Sequence, residues 1–415
     1  MEREKVLELK QVIGKKLNRP MLYYLDLCTR CGLCYDTCHV YQGIPKKEYS
    51  PVGRAEVVRR VFRKYFKLAG KFFPWWGDAH EFDENLMEEL REAAFSCTGC
   101  RRCTMFCPFG IDMPYILGIA KELLIAYGNA PEELVMLADS AVEKGKSIDM
   151  FKEGFRGVIK DLEQEVQKLI GASSSDGLIP MDKKGANILF VGLSGAHSII
   201  YPAAIFNAAK EDWTLSYFEA VNFGYFAGDS EKSNFIANRI INEAKALGVK
   251  EIVIVECGTA YRIPKFLMGP LPFKVSSIVE VIYRYIKEGR IKIKQGIVSE
   301  PVTWHDPCQL GRNGGIYEQP REILQIMAND YREMNPNCEY NWCCGGGGGL
   351  VALDNEEFRI KSGKPKKEQI EKSGASMVVT ACENCHLQLS TISQGYNMGV
   401  KVESLTKLVG ENLII

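Results

Sequence analysis

The spacing of apolar positions changes along the chain and divides it into four stretches. Over residues 1–130 they recur at helical intervals, interrupted by two runs of cysteine. Residues 131–185 form a helical connector, with SIDMFKEGFRGVIKDLEQEVQKLIG as its longest helix-period segment and a break at Ser173, Ser174, Ser175, Asp176 and Gly177. From residue 186 onward, short β-rich runs alternate with helical segments. NILFVGL, EIVIVEC, PVTWHDPC and SMVVTAC are the predicted strands, and PREILQIMANDYREM is one of the predicted helices. That alternation predicts α/β structure with parallel strands.

This last region repeats internally, as residues 186–297 and 298–415. ILFVGLSGAHSIIYPAAIFNAAK parallels VTWHDPCQLGR with PREILQIMAND, and IVIVECGTAYR parallels MVVTACENCHL. Only the second copy keeps its cysteines. The first has Ser194 or a neighbour near the place of Cys308, FGYFAGD where the second has WCCGGGG, and Cys257 alone from the closing pair. Cys257, Cys308 and Cys382 each fall at or just beyond the C-terminal end of a predicted strand, where open parallel sheets gather their ligands. The expected class is α+β multidomain: a helical cysteine-rich domain followed by two α/β repeats, the first degenerate.

Composition narrows the chemistry. A chain of 415 residues with 46% apolar and 25% charged residues can bury the cores of two or three globular domains. Its 52 basic and 52 acidic residues cancel, so no overall positive field favours nucleic acid, and no nucleic-acid partner is expected. No apolar run reaches the roughly 18 to 20 residues of a membrane span, and MEREKVLELKQVIGKK lacks the apolar core of a signal peptide. A cytoplasmic protein is expected, and its fifteen cysteines, clustered at short spacings, read as metal ligands rather than disulfides.

Cys28, Cys31, Cys34 and Cys38 form CxxCxxCxxxC; Cys97, Cys100, Cys103 and Cys107 repeat it, with Pro108 following. Spacings of three let one loop wrap three corners of a four-iron cube while the fourth cysteine reaches to the other cluster. The register therefore assigns Cys28, Cys31, Cys34 and Cys107 to one cubane [4Fe–4S] cluster, and Cys97, Cys100, Cys103 and Cys38 to a second. Structural zinc is also held by cysteine quartets, but has no need of the same register twice. His39 stands where a proline usually follows such a run and reads as a surface or packing residue.

Cys308, the adjacent pair Cys343 and Cys344, and Cys382 with Cys385 form a second constellation. Five thiolates exceed what one cube needs, and neighbouring cysteines do not easily reach separate corners of it. Gly345 to Gly349 would let backbone N–H groups approach the sulfurs. A phosphate loop does not fit, because no lysine followed by serine or threonine completes the run. Cys257 reads equally as a small buried thiol or as a group approaching the site, and Cys338 as an unligated thiol. His305 and His386 read as packed residues or as proton donors to a leaving thiolate, and Asp306 as a turn or cap. VGRAEVVRRVFRKYFKLAGKFFPWWG, with its Arg, Lys, Phe and Trp76, reads either as a basic amphipathic helix at a membrane or partner surface or as a core-facing helix.

The order of a cysteine, a distant Cys-Cys-Gly and a CxxC resembles the CCG domain of heterodisulfide reductases, matched by Cys308, Cys343, Cys344, Gly345, Cys382 and Cys385. Fusion to a two-cluster ferredoxin domain is similar to their D-subunit family. IPMDKKGANILFVG, EDWTLSYFEAVNFGYFAGD, VECGTAYR and NWCCGGGGGL resemble more closely the K-subunit family of the sulfite-reduction-associated Dsr membrane complex. The resemblance implies two cubane clusters and one noncubane [4Fe–4S] cluster on Cys308, Cys343, Cys344, Cys382 and Cys385, where a disulfide or trisulfide is cleaved. It implies a catalytic subunit peripheral to the cytoplasmic membrane, a b-type cytochrome partner, and a substrate that could be a small sulfur-carrier protein. The alternative it offers is a non-catalytic relay subunit of a flavin-dependent glycolate, lactate or glycerol-phosphate dehydrogenase. No GxGxxG opens a helix after a strand, so other subunits would supply or remove the electrons.

Overall fold

The computed structural model describes residues 1–75 and 78–415. The chain forms two compact units, neither of them a single run of sequence. The first comprises Met1–Ala138, Phe223–Ser233 and Trp342–Glu368; the second comprises Asp139–Asn222, Asn234–Asn341 and Gln369–Ile415. Thus FGYFAGD and WCCGGGG, which hold corresponding places in the two repeats, both lie in the first unit.

The first unit is helical. Helix Met113–Tyr127 packs against Arg3–Lys16, Arg19–Asp26, Pro51–Phe66 and Glu84–Phe95. It buries Ile116, Leu117, Ile119, Ala120, Leu123 and Leu124, an apolar surface wide enough to serve several neighbours. The Asp112 carboxylate caps its start by accepting from the Tyr115 N–H at 3.2 Å, and Gly128, at φ 89°, closes it. Helix Pro51–Phe66 enters through Ser50, whose hydroxyl accepts from the Gly53 N–H at 3.0 Å, with proline at its first position.

That second helix corrects one sequence reading. The basic aromatic stretch is not a single helix: the backbone breaks at Lys67 (φ −113°, ψ 134°), and Leu68–Phe72 is a separate short helix. Gly70 permits the fold-back, since a Cβ there would lie 2.1 Å from the Arg63 carbonyl oxygen. Val52, Ala55, Val58, Val61 and Phe62 face the core, while Leu68, Phe72, Phe73 and Trp75 are exposed. Trp76 lies outside the described residues.

The second unit carries the sheets. Strands β1 (Ile188–Val191), β2 (Trp213–Leu215), β3 (Glu251–Ile254) and β4 (Lys274–Ser277) form a parallel sheet in the order β2-β1-β3-β4. Strands β5 (Lys292–Ile293) and β9 (Leu413–Ile414) pair antiparallel. Strands β6 (Val302–Trp304), β7 (Met377–Thr380) and β8 (Lys401–Ser404) form a second parallel sheet in that order. Tyr331 bridges to Val302 on the flank of β6, where β2 would stand in the first sheet. The two repeats therefore share one topology. Both also turn from strand to helix through a capping serine: Ser277, the last residue of β4, in a capping box with Glu280, and Ser404, the last residue of β8.

The helix expected over residues 320–334 ends at Met327 instead. Ala328 and Tyr331 leave it to bridge Val298 and Val302, because the flank of the second sheet needs backbone partners that a longer helix would withhold. Helices from both repeats pack together, His197–Ala208 on Leu405–Glu411 and Ile278–Lys287 on Glu318–Met327, so one apolar core runs through the unit.

One half-buried acid with a desolvated carboxyl ties this core to pH. Glu243 accepts from the Ser216 hydroxyl and, at 3.0 Å, from the Tyr217 N–H, and burial pushes its carboxyl up to about 7 from an ordinary 4.5. A raised folded-state value stabilises the fold below pH 4.5, and that contribution is lost as pH climbs through 7. Stability should fall by about 1–3 kcal/mol between pH 5 and 8 on this account. Glu243→Gln should flatten the dependence, checked by Tm at both pH values under anaerobic conditions. An unchanged pH slope in the variant would show that Glu243 is not its source.

Candidate iron–sulfur sites

In the first unit the two cysteine runs follow the same backbone path. The residue before the second cysteine and the residue after it are left-handed in both: Arg30 (φ 57°) and Gly32 (φ 86°) around Cys31, Gly99 (φ 66°) and Arg101 (φ 60°) around Cys100. These reversals curl each loop around a cavity. One cavity is lined by Cys38, Cys97, Cys100 and Cys103, the other by Cys28, Cys31, Cys34 and Cys107. Each thus takes three sulfurs from one run and the fourth from the other. Four thiols around one small cavity is the donor set of a four-iron cluster, so the residues present fit that group.

The surroundings of the two cavities differ. Beside the first, Arg54 is buried; its Nη1 donates to Cys38 Sγ at 3.5 Å, while Nε and Nη2 reach the Ser96 hydroxyl and carbonyl at 2.8 and 3.0 Å. Burial raises the Cys38 thiol, but the Arg54 charge and neighbouring donors outweigh it and hold the thiol below its ordinary range. Among the described residues no cationic side chain hydrogen-bonds Cys34, in the second cavity, and burial pushes it up to about 11. Lys121 donates to the Phe226 carbonyl at 2.6 Å and the Gly348 carbonyl at 3.3 Å, and burial lowers it to about 8.

His39 is a buried hydrogen-bonding residue, in place of the surface or packing histidine expected. Its Nδ1 donates to the Ser362 carbonyl at 3.0 Å, and its Nε2 lies within hydrogen-bond distance of the Thr98 hydroxyl, at 3.1 Å. Cys343 Sγ lies 3.5 Å from Thr98 Oγ1, which links the sulfur through Thr98 and His39 to the Ser362 carbonyl. Burial depresses the imidazole, but the sulfurs of Cys343 and Cys38 more than compensate and hold it above its ordinary value. Donor atoms of His39, Cys100 and Cys343 lie within 4.8 Å of one another. Sequence reasoning missed Thr98 and Arg54 altogether. The available signal was their position, one residue after Cys97 and within the apolar start of the next helix.

The Cys-Cys-Gly segment belongs to the same unit. The Gly345 N–H donates to Cys343 Sγ and the Gly346 N–H to Cys344 Sγ, each at 3.4 Å. The next glycines serve a different end, close backbone packing. A Cβ on Gly347 would sit 2.7 Å from the Thr98 carbonyl oxygen, and one on Gly348 2.5 Å from that of Cys97. Arg102, which donates to the Thr37 carbonyl at 3.0 Å, stacks 3.6 Å from the centre of the Trp342 ring.

The second unit holds Cys308, Cys382 and Cys385, so the five cysteines of the second constellation are divided between the units. Cys308 follows β6 and is half-buried; Cys382 caps helix Glu383–Gly395, and Cys385 lies in its first turn. A hydrogen bond from Cys385, with backbone N–H groups of Gly258, Cys385 and Asn384, lowers the Cys382 thiol. Cys257 caps helix Gly258–Arg262 in the equivalent place of the first repeat, where Ala260 stands for Cys385. It is buried beside Cys382, and burial pushes it up to about 12. All fifteen cysteines are free of disulfides.

Asp306 is more than a turn residue. It is buried, accepts from both Arg321 terminal nitrogens at 2.8 Å and from Trp304 Nε1 at 3.0 Å, and holds the Cys338 N–H at 2.9 Å. Its own carbonyl accepts from Asn341 Nδ2 at 2.8 Å. His386 Nε2 lies 3.2 Å from the Val402 carbonyl, a packed role, and His305 Nδ1 lies 3.5 Å from Asn341 Nδ2. Cys338, at φ 51°, is half-buried. Among the described residues no helix is long and apolar enough to cross a membrane.

Comparison with known proteins agrees with this layout. Residues 24–111 match the 4Fe-4S dicluster domain family, and residues 302–390 match the cysteine-rich CCG domain family. Among similar proteins is the Hdr-like menaquinol oxidoreductase iron-sulfur subunit 2 of Archaeoglobus fulgidus, 27% identical over 96% of this chain and 81% of the relative. The D subunit of the dihydromethanophenazine:CoB–CoM heterodisulfide reductase of Methanosarcina acetivorans is 26% identical over 96% of each. The EtfAB:quinone oxidoreductase of Syntrophomonas wolfei is 24% identical, covering 92% of this chain and 56% of its own length. Both domain matches, and alignments along almost its whole length, make the chain similar to iron–sulfur subunits such as the D subunit of heterodisulfide reductase, with one region that matches a 4Fe-4S dicluster domain and one that matches a CCG domain.

Proposed function

We propose that this subunit passes electrons singly through two cubane clusters, one on Cys28, Cys31, Cys34 and Cys107 and one on Cys38, Cys97, Cys100 and Cys103, to a noncubane [4Fe–4S] cluster on Cys308, Cys343, Cys344, Cys382 and Cys385. A disulfide or trisulfide substrate is reduced there; cleaving one S–S bond consumes two electrons and two protons and leaves two thiols. Bound to these cysteines, the clusters supply one-electron carriers and iron that a substrate sulfur can approach. The observation that carries the reading is the second constellation, five cysteines inside the matched CCG domain where a single cube would use four.

The chain's own residues prepare the site. N–H groups of Gly345 and Gly346 hold the two adjacent sulfurs, Thr98 and His39 hold the hydroxyl beside Cys343, and helix N-terminal N–H groups stabilise the charged form of Cys382. The electrons come from a quinol through a membrane b-type cytochrome, in keeping with the menaquinol oxidoreductase name of one relative, and the subunit sits at the cytoplasmic face through that partner. The substrate is a small disulfide or a sulfur-carrier protein.

Protein purified without oxygen should carry about twelve irons, from three four-iron clusters. An EPR signal should appear on oxidation and change when a disulfide or trisulfide substrate is added. About eight irons, or a third cluster indifferent to every sulfur ligand, would overturn the reductase reading. That result would leave a non-catalytic relay between a flavoprotein and a quinone, the reading favoured by the EtfAB:quinone oxidoreductase relative.

A further inference from the structure

Arg54 is a buried cation of the first unit, and Lys121 is a half-buried one whose ammonium is desolvated. Among the described residues neither has a carboxylate partner. The guanidinium bonds Ser96 and Cys38 Sγ, and the ammonium bonds two carbonyls and lies 4.6 Å from the centre of the Phe95 ring. A desolvated charge left unpaired is costly, so a fold that keeps two of them is matched to an anion in the same place. Four cysteine thiolates around a four-iron cluster carry net negative charge. Cys38, which Arg54 bonds at 3.5 Å, and Cys97, whose charged form both cations favour, line one cavity.

The other cavity is differently served. Arg30 and Arg63 are both tied to Glu56; Arg59 is buried and feels the charge of Cys28, but it spends Nε and Nη2 on the Leu25 and Tyr24 carbonyls and its Nη1 makes no hydrogen bond to a sulfur, lying 3.9 Å from the Glu56 carboxylate. No described side-chain cation hydrogen-bonds Cys28, Cys31, Cys34 or Cys107. Exposure of Cys31 works the opposite way, since water also stabilises a reduced cluster. The direct hydrogen bond wins, because a charge seated on a ligand sulfur in a dry site acts through a lower effective dielectric than solvent outside a loop.

We propose that Arg54, assisted by Lys121, is the built-in counter-charge that holds the cubane on Cys38, Cys97, Cys100 and Cys103 at a higher reduction potential than its neighbour. The electron order is thereby fixed: the cubane on Cys28, Cys31, Cys34 and Cys107 gives, and the one beside Arg54 receives. Arg54 is a positioning residue that acts through Cys38. The proposal rests on the cluster assignment above, which the same experiment tests separately.

The test is an EPR-monitored redox titration of the full anaerobic chain, with iron counted in every sample. Cys31→Ser identifies the neighbour's signal. In Arg54→Gln the other cubane should move to lower potential while the neighbour stays in place, and Arg54→Lys should restore most of the shift. If Arg54→Gln loses iron, Lys121→Gln decides, with a downward move of the same cubane supporting the proposal. Unmoved potentials in a fully loaded variant, or movement of the neighbour instead, would overturn it. Wild-type protein lacking one of the two cubane signals would overturn the cluster assignment instead.

Discussion

Asp306→Ala should destabilise the second unit by about 3–5 kcal/mol, the range for stripping one partner from a buried ion pair. Its two carboxylate oxygens take four donors: both terminal nitrogens of Arg321, the Trp304 indole and the Cys338 N–H. Alanine takes this acceptor from the Trp304 indole and the Cys338 N–H and the buried carboxylate from Arg321, whose Nη1 keeps the Tyr317 carbonyl at 2.8 Å and whose Nη2 keeps Glu333 at 3.0 Å. Glu333 still pairs with Arg321 at 2.8 Å and keeps the loss toward the lower end. An anaerobic urea titration measures the effect. Because Arg321 without Asp306 is the costly species, the double variant Asp306→Ala with Arg321→Met should lose less than the two single losses added together. A single-variant loss under about 1 kcal/mol would mean that the network relaxes around the gap. The consequence reaches the candidate site, because Asp306 precedes Cys308 by two residues and anchors the segment from Cys338 to Asn341 that leads to Cys343.

Gly348→Ala should cost about 3 kcal/mol, from two sources: a left-handed backbone unfavourable to a side chain and a Cβ driven into backbone. Gly348 has φ 70°, and its Cβ would stand 2.5 Å from the Cys97 carbonyl oxygen and 3.1 Å from Thr98 Cα. Neither neighbour is the end of a flexible side chain, so relief requires moving the loop that carries Cys97 and Cys100. The variant should therefore bind less iron as well as melt several degrees lower, and iron counting beside the melting curve checks both. Gly315→Ala is the control. It has φ 76° with open space around its Cβ, so it pays only the backbone term, about 1 kcal/mol. Equal losses in the two variants would place the whole effect in backbone strain and none in the close packing.

The four strand cores read from sequence are β1, β3, β6 and β7, all central in their sheets or beside the centre and all fully buried. The strands not foreseen were the flanking or short ones. KVSS and KVES, which form β4 and β8, have mixed polar character and little hydrophobic signal of their own. They are strands because β3 and β7 offer them parallel backbone partners. The helix ending at Met327 belongs to the same class of error, since local periodicity ran on through residues that the sheet flank claimed.

The candidate site divides along a similar line. Cysteine identity and spacing are local properties, and a loop of three-residue steps needs only its own length to curl round a cluster-sized cavity. Hence the two quartets, the five-cysteine constellation and the repeat with one eroded copy were all legible from sequence alone. Desolvation and charge pairing are not local. Arg54 is chemically the same residue as the arginines around it in sequence, and His39 the same as any histidine after a cysteine. Only the packed helices that exclude water from them, and bring Ser96, Thr98 and Ser362 within hydrogen-bonding reach, turn one into a counter-charge and the other into a link to Cys343. Residue identity and spacing set which sulfur atoms are offered to iron. The tertiary structure decided which buried charges those atoms meet, because the energy of a charge depends on how much water its neighbours leave around it.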